Sequence, residues 1–343
     1  MHVLNHLGLS EEIARLAVYP KAYIFRMYDT AEIVGQFSLA DEHARLHGAR
    51  YSQLHRADLH GLLAAKARSI KPGVVHLDKK AIGFSETDKD VTLLFADGSR
   101  AQGDILVGAD GMKSVIRSQM VGADRAIYTG DAAWRLTVPT ERLPQPFLDQ
   151  VMSVYTGPGA HVVCYYLRAG ALLNFVGLVE TDEVSDESWT SRLPWEDLKA
   201  AFQGWHSDIQ TVIDVSDHNE CFRWSLFRRP VPSNWCTKRV TMLGDAVHST
   251  LPYLAQGAAM AVEDAAVLSR SLGMTEDIGA ALQIYQRNRI DRTKRIVDGS
   301  SANRDLFHLR NQQQMRQIFA SRNQGAERNE WLYSYNPLTA QLA

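Results

Sequence analysis

Apolar positions along this chain recur with two periods, and the switches between them divide it into segments. Residues 3–17 read as a short helix, a Gly-Leu-Ser break and a second helix capped by Ser10. Residues 51–67 (YSQLHRADLHGLLAAKA) read as a strand entering a helix, with Leu59, Leu62, Leu63 and Ala67 on one face. Strands are expected at 73–77, 80–86 and 90–96, the last alternating through Val91, Leu93 and Phe95 before an Asp97-Gly98 turn. Ile105-Leu106-Val107 is a short, wholly apolar run, the pattern of a strand buried on both faces.

From about 124 to 235 aromatic and β-branched runs dominate. Strands are predicted at 132–138, 151–155, 161–167, 172–180 and 219–227, with amphipathic helices near 195–203 and 207–214. After Trp235 a buried strand returns at 239–243, followed by a helix over about 256–272 and a long polar helix over roughly 279–312. Two apolar strand-turn-helix units thus flank a mixed, largely antiparallel sheet. The fold class is α/β with an α+β insert, divided at 1–123, 124–235 and 236–343.

Composition narrows this little. Lys plus Arg number 37 against 39 for Asp plus Glu, so no polyanion such as nucleic acid is implied. Arg287, Arg289, Arg292, Lys294 and Arg295, with Asp291 among them, read as a solvated helix face. Cys164, Cys221 and Cys236 form no CxxC pair, which fits a reducing cytoplasm. Asn174 breaks the longest apolar run (171–179), so no membrane span is expected, and the early Glu11 and Glu12 do not suit a signal peptide. His43 and His47 have metal-ligand spacing, but an amphipathic face is the favoured reading because no third ligand is nearby. Trp134, Trp189, Trp195 and Trp205 are expected to pack in cores.

Three segments carry chemistry. GADGMKSVIR (108–117) follows the buried strand. Gly108 and Gly111 allow a tight turn, Asp110 offers a carboxylate where α/β folds bind ligands, and Ser114 can cap the next helix. GDAVHSTLPYLAQGAAMAVEDAAVL (244–268) places Gly244 and Asp245 at a strand end, Pro252 in a loop, and Gln256, Gly257 and Ala258 at a helix start whose free amides suit an electron-rich ligand. Glu263 and Asp264 are expected to anchor neighbouring loops, and His248 to make a structural hydrogen bond. In LHRADLHGLL, Arg56 at a helix start can clamp a pyrophosphate.

In this order and spacing the segments resemble the single-component (group A) flavoprotein monooxygenases of the para-hydroxybenzoate hydroxylase fold. WSLFRRPVPSNW (224–235) and NEWLYSYNPL (329–338) add to the likeness, which points to salicylate and 6-hydroxynicotinate hydroxylases. The resemblance implies a Rossmann-like FAD-binding domain with an inserted substrate domain and C-terminal helices. It implies FAD held by Arg56, Asp110, Gly244, Asp245, Pro252, Gln256, Gly257 and Ala258, with NAD(P)H as co-substrate. Hydroxylation of a small hydroxylated aromatic acid by O2 through a flavin C4a-hydroperoxide would follow. The family's opening strand, GxGxxG turn and helix are not found, so the FAD-binding domain reads as N-terminally truncated, and weak or absent FAD retention is expected.

On the substrate side, AHVVCYYL (160–167) puts His161, Val163 and Tyr165 on one strand face. By resemblance, His161 and Tyr165 bind the substrate or assist its deprotonation; the alternative is a packing Tyr165 and a partly exposed His161. Tyr253 is a further candidate for substrate contact. Two other readings are kept: a flavin oxidoreductase of the same fold acting on a non-aromatic substrate, and an inactive, cofactor-poor homologue. Substrate-dependent NAD(P)H oxidation with stoichiometric oxygenated product separates the oxidoreductase reading from the hydroxylase, and upstream coding sequence in frame with Met1 would weigh against the inactive one. Oligomeric state is left open between monomer and homodimer.

Overall fold

The computed structural model describes residues 1–184, 191–322 and 330–343; Trp189 lies outside them. Helices α1 (His2–His6) and α2 (Ser10–Leu16) lead into strands β1 (Ala22–Met27) and β2 (Ile33–Ser38), then α3 (Asp41–His47) and α4 (Arg56–Ile70). Next come β3 (Ala81–Glu86), β4 (Val91–Phe95), β5 (Arg100–Gly103), β6 (Leu106–Gly108) and α5 (Val115–Val121). The β-rich stretch holds β7 (Ile127–Pro139), β8 (Met152–Gly157), β9 (Ala160–Leu167), β10 (Leu172–Glu180), α6 (Trp195–Ala201), α7 (Ser207–Asp214) and β11 (Phe222–Arg228). The remainder comprises β12 (Val240–Met242), α8 (Asp245–His248), α9 (Gly257–Leu272), α10 (Ile278–Phe307), α11 (Gln312–Arg322) and α12 (Glu330–Tyr333).

These elements form two compact units. The first takes Met1–Lys66, Tyr128–Leu226 and Arg304–Tyr335; the second takes Ala67–Ile127, Phe227–Asn303 and Asn336–Ala343. The β-rich segment is therefore joined in its unit by the first 66 residues, a partition that differs from the three segments expected. The reason is sheet pairing. β1, which alternation did not reveal, runs parallel to β8 and antiparallel to β2. Among the described residues the sheet then has seven strands in the order β11-β7-β10-β9-β8-β1-β2. One sheet face is the unit's core: Trp134, Leu136, Tyr155, Val162, Cys164, Leu173 and Phe175 pack with Leu198 of α6, Phe202 just after it, and Ile209 and Val212 of α7. Trp195 and Trp205 join that cluster, as their apolar bulk suggests.

In the second unit β6 and β12 pair in parallel, and β3, β4 and β5 form an antiparallel sheet. Its core gathers Ile116, Trp235, Val240, Met242, Val247, Val267, Leu282 and Tyr285. Three local expectations are corrected. Ser10 is the first residue of α2 rather than its cap, and its hydroxyl bonds to Asn5 Oδ1. Residues 73–77 are not a strand: none pairs with them among the described residues, and Val74, Val75 and Leu77 stay exposed. The long C-terminal helix ends at Phe307, and Asn311 Oδ1 accepts from Gln314 N–H at the start of α11. The three cysteines are free and buried, and no described helix is long and apolar enough to cross a membrane.

Candidate active site

In the second unit, two strand ends and two helix starts come together. Ser114 caps α5, its hydroxyl accepting from Arg117 N–H at 2.9 Å. Asp110 adds to the cap: its carboxylate accepts from Ser114 Oγ at 2.5 Å and from the amides of Val115 and Ile116. Arg117, one turn further on, is buried. Its guanidinium binds Asp124 at 2.6 Å and donates to Pro230 O, Val247 O and Ala246 O. That staple fixes the DG segment to the short helix α8 that begins at Asp245.

The GD segment is held from the other side by Asp264. This fully buried carboxylate accepts from Gly244 N–H at 2.9 Å, His248 Nε2 at 2.5 Å and Arg289 Nε at 2.7 Å. Burial would raise its pKa, but His248, Arg289 and the Gly244 amide together hold it below the usual carboxylate value. Glu263 pairs with Arg289 and Arg292, both contacts at 2.8 Å. Asp264 thus anchors the neighbouring GD segment and His248 makes a structural hydrogen bond, as expected, whereas Glu263 anchors the helix α10 rather than a loop. The solvated face expected for the basic stretch is only partly so: Arg287, Lys294 and Arg295 are exposed, whereas Arg289 and Arg292 turn inward to these acids.

Above this framework the polar groups are open. Gly244 adopts φ +61°, which lets the chain turn out of β12, and Asp245 is exposed with no partner among the described residues. α9 starts at Gly257 with no side-chain cap from Gln256 and no acid in its first turn. Ala258 and Pro252 are exposed, and a Cβ at Gly257 would meet only Thr250 Cγ2 at 3.5 Å. An uncapped helix N-terminus, a free carboxylate and a bare glycine fit a flavin, whose electron-rich edge and ribityl hydroxyls need those partners. Tyr253, in the same loop, is buried, and its carbonyl accepts from Asn303.

In the first unit, Arg56 is exposed at the start of α4, while Asp58 is taken by Arg168 in a bidentate pair at 2.9 Å. Arg56 lines a cavity of about 500 Å³ with His55, His60, Arg135 and Thr137. Arg135 and Thr137 belong to the sheet face opposite the core. On that face Asn174 stands in register between Thr137 of β7 and Tyr165 of β9. Asn174 is fully buried, and neither its amide oxygen nor its nitrogen has a hydrogen-bond partner. Tyr165 is half-buried; burial raises its phenol pKa, and the nearby Arg135 guanidinium counters part of that rise.

Tyr23 and Tyr51 stand near Tyr165, and Tyr333 stands near both of them, each phenol pushed up by burial first and by its tyrosine neighbours second. Tyr23 stacks on Phe37 at 5.0 Å, and Tyr333 meets His43 edge-on at the same separation. His43 and His47 are thereby part of an aromatic cluster, and no group of metal ligands exists among the described residues. His161 lies on this sheet face but further along β9. It is buried, not partly exposed, and its Nδ1 is 2.8 Å from His308 Nε2.

Sequence reasoning did not single out Arg135, Tyr23, Tyr51 or Tyr333. Asn174 had left a signal, a lone amide inside an apolar strand, but it was read only as a break in hydropathy.

The profile of the family described as FAD binding domain matches residues 1–300. The 3-amino-4-hydroxybenzoate 2-monooxygenase PtnB3 of Streptomyces platensis is 32% identical over 336 residues, 97% of this chain and 83% of its own. The 6-hydroxynicotinate 3-monooxygenase of Bordetella bronchiseptica is 32% identical, over 86% of this chain and 77% of its own. Among solved structures, Klebsiella pneumoniae HpxO complexed with FAD and uric acid superposes with a TM-score of 0.82 at 28% identity, covering 96% of this chain and 82% of that one.

Proposed function

This chain belongs to the FAD-binding-domain family of FAD-dependent aromatic monooxygenases, and on that premise we propose that it hydroxylates a small aromatic acid already bearing a ring hydroxyl. The observation that carries the substrate class is Asn174. A buried amide with both ends unpaired costs about 1–3 kcal/mol, and a polar ligand laid on the sheet face would satisfy it. Tyr165, Tyr23 and Tyr51 supply aromatic surface for a ring, and Arg135 supplies charge for a carboxylate. Relatives acting on 3-amino-4-hydroxybenzoate and 6-hydroxynicotinate support the same class.

Bound FAD, reduced by NAD(P)H, supplies the activation of O2. This chain's residues then do the rest. The N-terminal amides of α9 at Gly257 and Ala258, aided by Pro252 and Gln256, would receive the flavin's electron-rich edge. Asp245 would take ribityl hydroxyls at the Gly244 turn, Asp110 would keep the neighbouring strand end in place, and Arg56 would pair with phosphate. Tyr165 would orient the substrate ring, and His161 would accept its phenolic proton, making the ring carbon electron-rich enough to attack oxygen.

The test supplies the chain with FAD and NADH or NADPH and screens hydroxybenzoates and hydroxynicotinates. The expected result is NAD(P)H oxidation that depends on one of these acids and yields hydroxylated product in equal amount. Asn174→Ala should raise KM for that acid by about tenfold, the loss of a ~1.4 kcal/mol interaction. Oxidation indifferent to every acid, or yielding only peroxide, would sink the proposal.

A further inference from the structure

Asn174 shares its condition with a second buried amide of the first unit. Gln53 is 6% exposed, and neither its Oε1 nor its Nε2 has a hydrogen-bond partner among the described residues. Its backbone is fully engaged, the N–H donating to Val18 O at 2.9 Å and the carbonyl accepting from Val18 N–H at 3.0 Å. Only the carboxamide is idle. The stretch that carries it crosses the sheet face holding Asn174. At one end the Tyr51 hydroxyl meets Met152 Sδ of β8 at 3.6 Å; at the other, His55 and Arg56 line a cavity with Arg135 and Thr137 of β7. Between β7 and β8 lie β10 and β9, where Asn174 and Tyr165 pair. Three strand spacings, about 14 Å, match the ~13 Å that four extended residue steps from Tyr51 to His55 can reach. Gln53 is the midpoint of that crossing. Two residues from Tyr51, it shares that side of the chain, whereas Leu54 turns to the apolar cluster of Leu4, Leu9 and Ile13.

We propose that Gln53 determines which ring this enzyme accepts, selecting a lactam, with a ring N–H beside a ring C=O, over a simple phenol. The proposal rests on the reading that the substrate lies on this sheet face. A carboxamide offers a donor and an acceptor side by side. A ring hydroxyl next to a ring nitrogen rests in water as the lactam, its proton on nitrogen, and presents the complementary pair. Nε2 then donates to the ring carbonyl and Oε1 accepts from the ring N–H, two parallel bonds that satisfy both idle atoms. A phenol presents one oxygen, which serves one end of the amide and leaves the other buried and unpaired. Such an unpaired group is what makes a polar site reject an analogue lacking the matching atom. The ring carboxylate goes to Arg135 in either case, so it does not discriminate. A residue needed for packing alone would not carry an amide whose burial has no return.

Equilibrium binding to the whole chain, supplied with FAD, decides the matter with three related acids. They are 6-hydroxynicotinate, its N-methylated lactam, and 4-hydroxybenzoate, which has C–H in place of the ring nitrogen. The wild type should bind 6-hydroxynicotinate at least about tenfold more tightly than either of the others, the worth of one hydrogen bond in a buried site. Gln53→Met, similar in length and apolar, should reduce that preference to less than about threefold and leave Kd for 4-hydroxybenzoate within about twofold. It should also raise the denaturation midpoint of the ligand-free chain, because the unpaired amide is gone. Equal wild-type affinity for the three acids overturns the proposal. So does a Gln53→Met chain that keeps the preference, or one that is unfolded or less stable than wild type, which marks a structural amide. If Asn174→Ala weakens 6-hydroxynicotinate while Gln53→Met changes nothing, the sheet face holds the substrate and only the role of Gln53 fails. If neither substitution changes any affinity, or the wild type binds none of the acids, the reading of the sheet face fails and takes the proposal with it.

Discussion

Asp264 shows how much one side chain does in holding the GD segment. Three donors converge on it, and two of them, His248 and Arg289, are fully buried. Asp264→Asn keeps the shape but leaves Arg289 and Arg292 to share the single carboxylate of Glu263. The substitution should cost about 3–5 kcal/mol in a denaturant titration, the range for breaking a buried ion pair. A loss under 1 kcal/mol would mean that Glu263 alone can hold Arg289. Because the Asp264 pKa is lowered in the folded state, its contribution is present above the ordinary carboxylate range and disappears only as pH falls through the lowered value. At this scale, the sequence was legible where a residue's neighbours in the chain define its task. Ser114 three residues before Arg117 is a cap in any helix, and the Glu263-Asp264 pair was rightly read as an anchor. It was illegible where the partner is distant. Arg289 looked like one charge among five because the acid it meets is 25 positions away. Asn174 looked like an interruption because its unpaired amide is visible only when the strands on both sides are in place.

Among the elements, the strands of the β-rich stretch were the ones that the apolar pattern revealed. β7, β9, β10 and β11, and the α6–α7 pair, lie where the apolar pattern puts them. β1 and β2 escaped because neither alternates: β1 buries Ile24 and Met27, three positions apart, β2 buries the adjacent Val34 and Gly35, and the pairing of β1 with β8 across more than a hundred residues leaves no local mark. Run 73–77 failed in the opposite way: its composition suits a strand, yet a strand exists only with a partner for its backbone. β10 carries a second lesson in Gly177, a residue that normally weakens a strand interior. A Cβ there would lie 2.4 Å from Phe202 Cζ and 2.9 Å from Phe175 Cε1, so the glycine is the space that two buried rings need. Gly177→Ala should therefore destabilise the protein by about 1–3 kcal/mol through overpacking. Gly177→Ala combined with Phe202→Leu should recover part of that loss in the same thermal melt. Equal melting of wild type and Gly177→Ala would show that α6 and its following turn can shift to admit a methyl group.

For the molecule as a whole, the two units are built to answer acid differently. The first buries His43, His161 and His308 and half-buries His47, all with pKa values lowered chiefly by burial, His43 to about 4. An unfolded chain protonates such rings near their ordinary value, about 6.5, whereas the folded unit refuses the proton until the pH is much lower. Between those limits the unfolded state binds more protons, so the stability of the first unit falls as pH drops below about 6.5. His43 alone would account for at most about 3 kcal/mol by pH 4. The second unit holds buried and half-buried carboxylates whose pKa values are lowered. Its buried Asp264 and its half-buried Asp124, both depressed despite the opposing effect of burial, go on stabilising it until the pH falls below the usual carboxylate range. Hydrogen exchange corrected for intrinsic rates should accordingly show protection of β8, β9 and β10 falling between pH 7 and pH 5 while β12 and α9 keep theirs. Simultaneous loss in both units would mean that they unfold as one cooperative body, and earlier loss in β12 and α9 would mean that the buried histidines do not set the acid limit. One of these rings connects stability to the proposed chemistry: the neutral form of His161 is the one that can accept a phenolic proton, so the cost in acid tolerance comes with the capacity proposed for it at neutral pH.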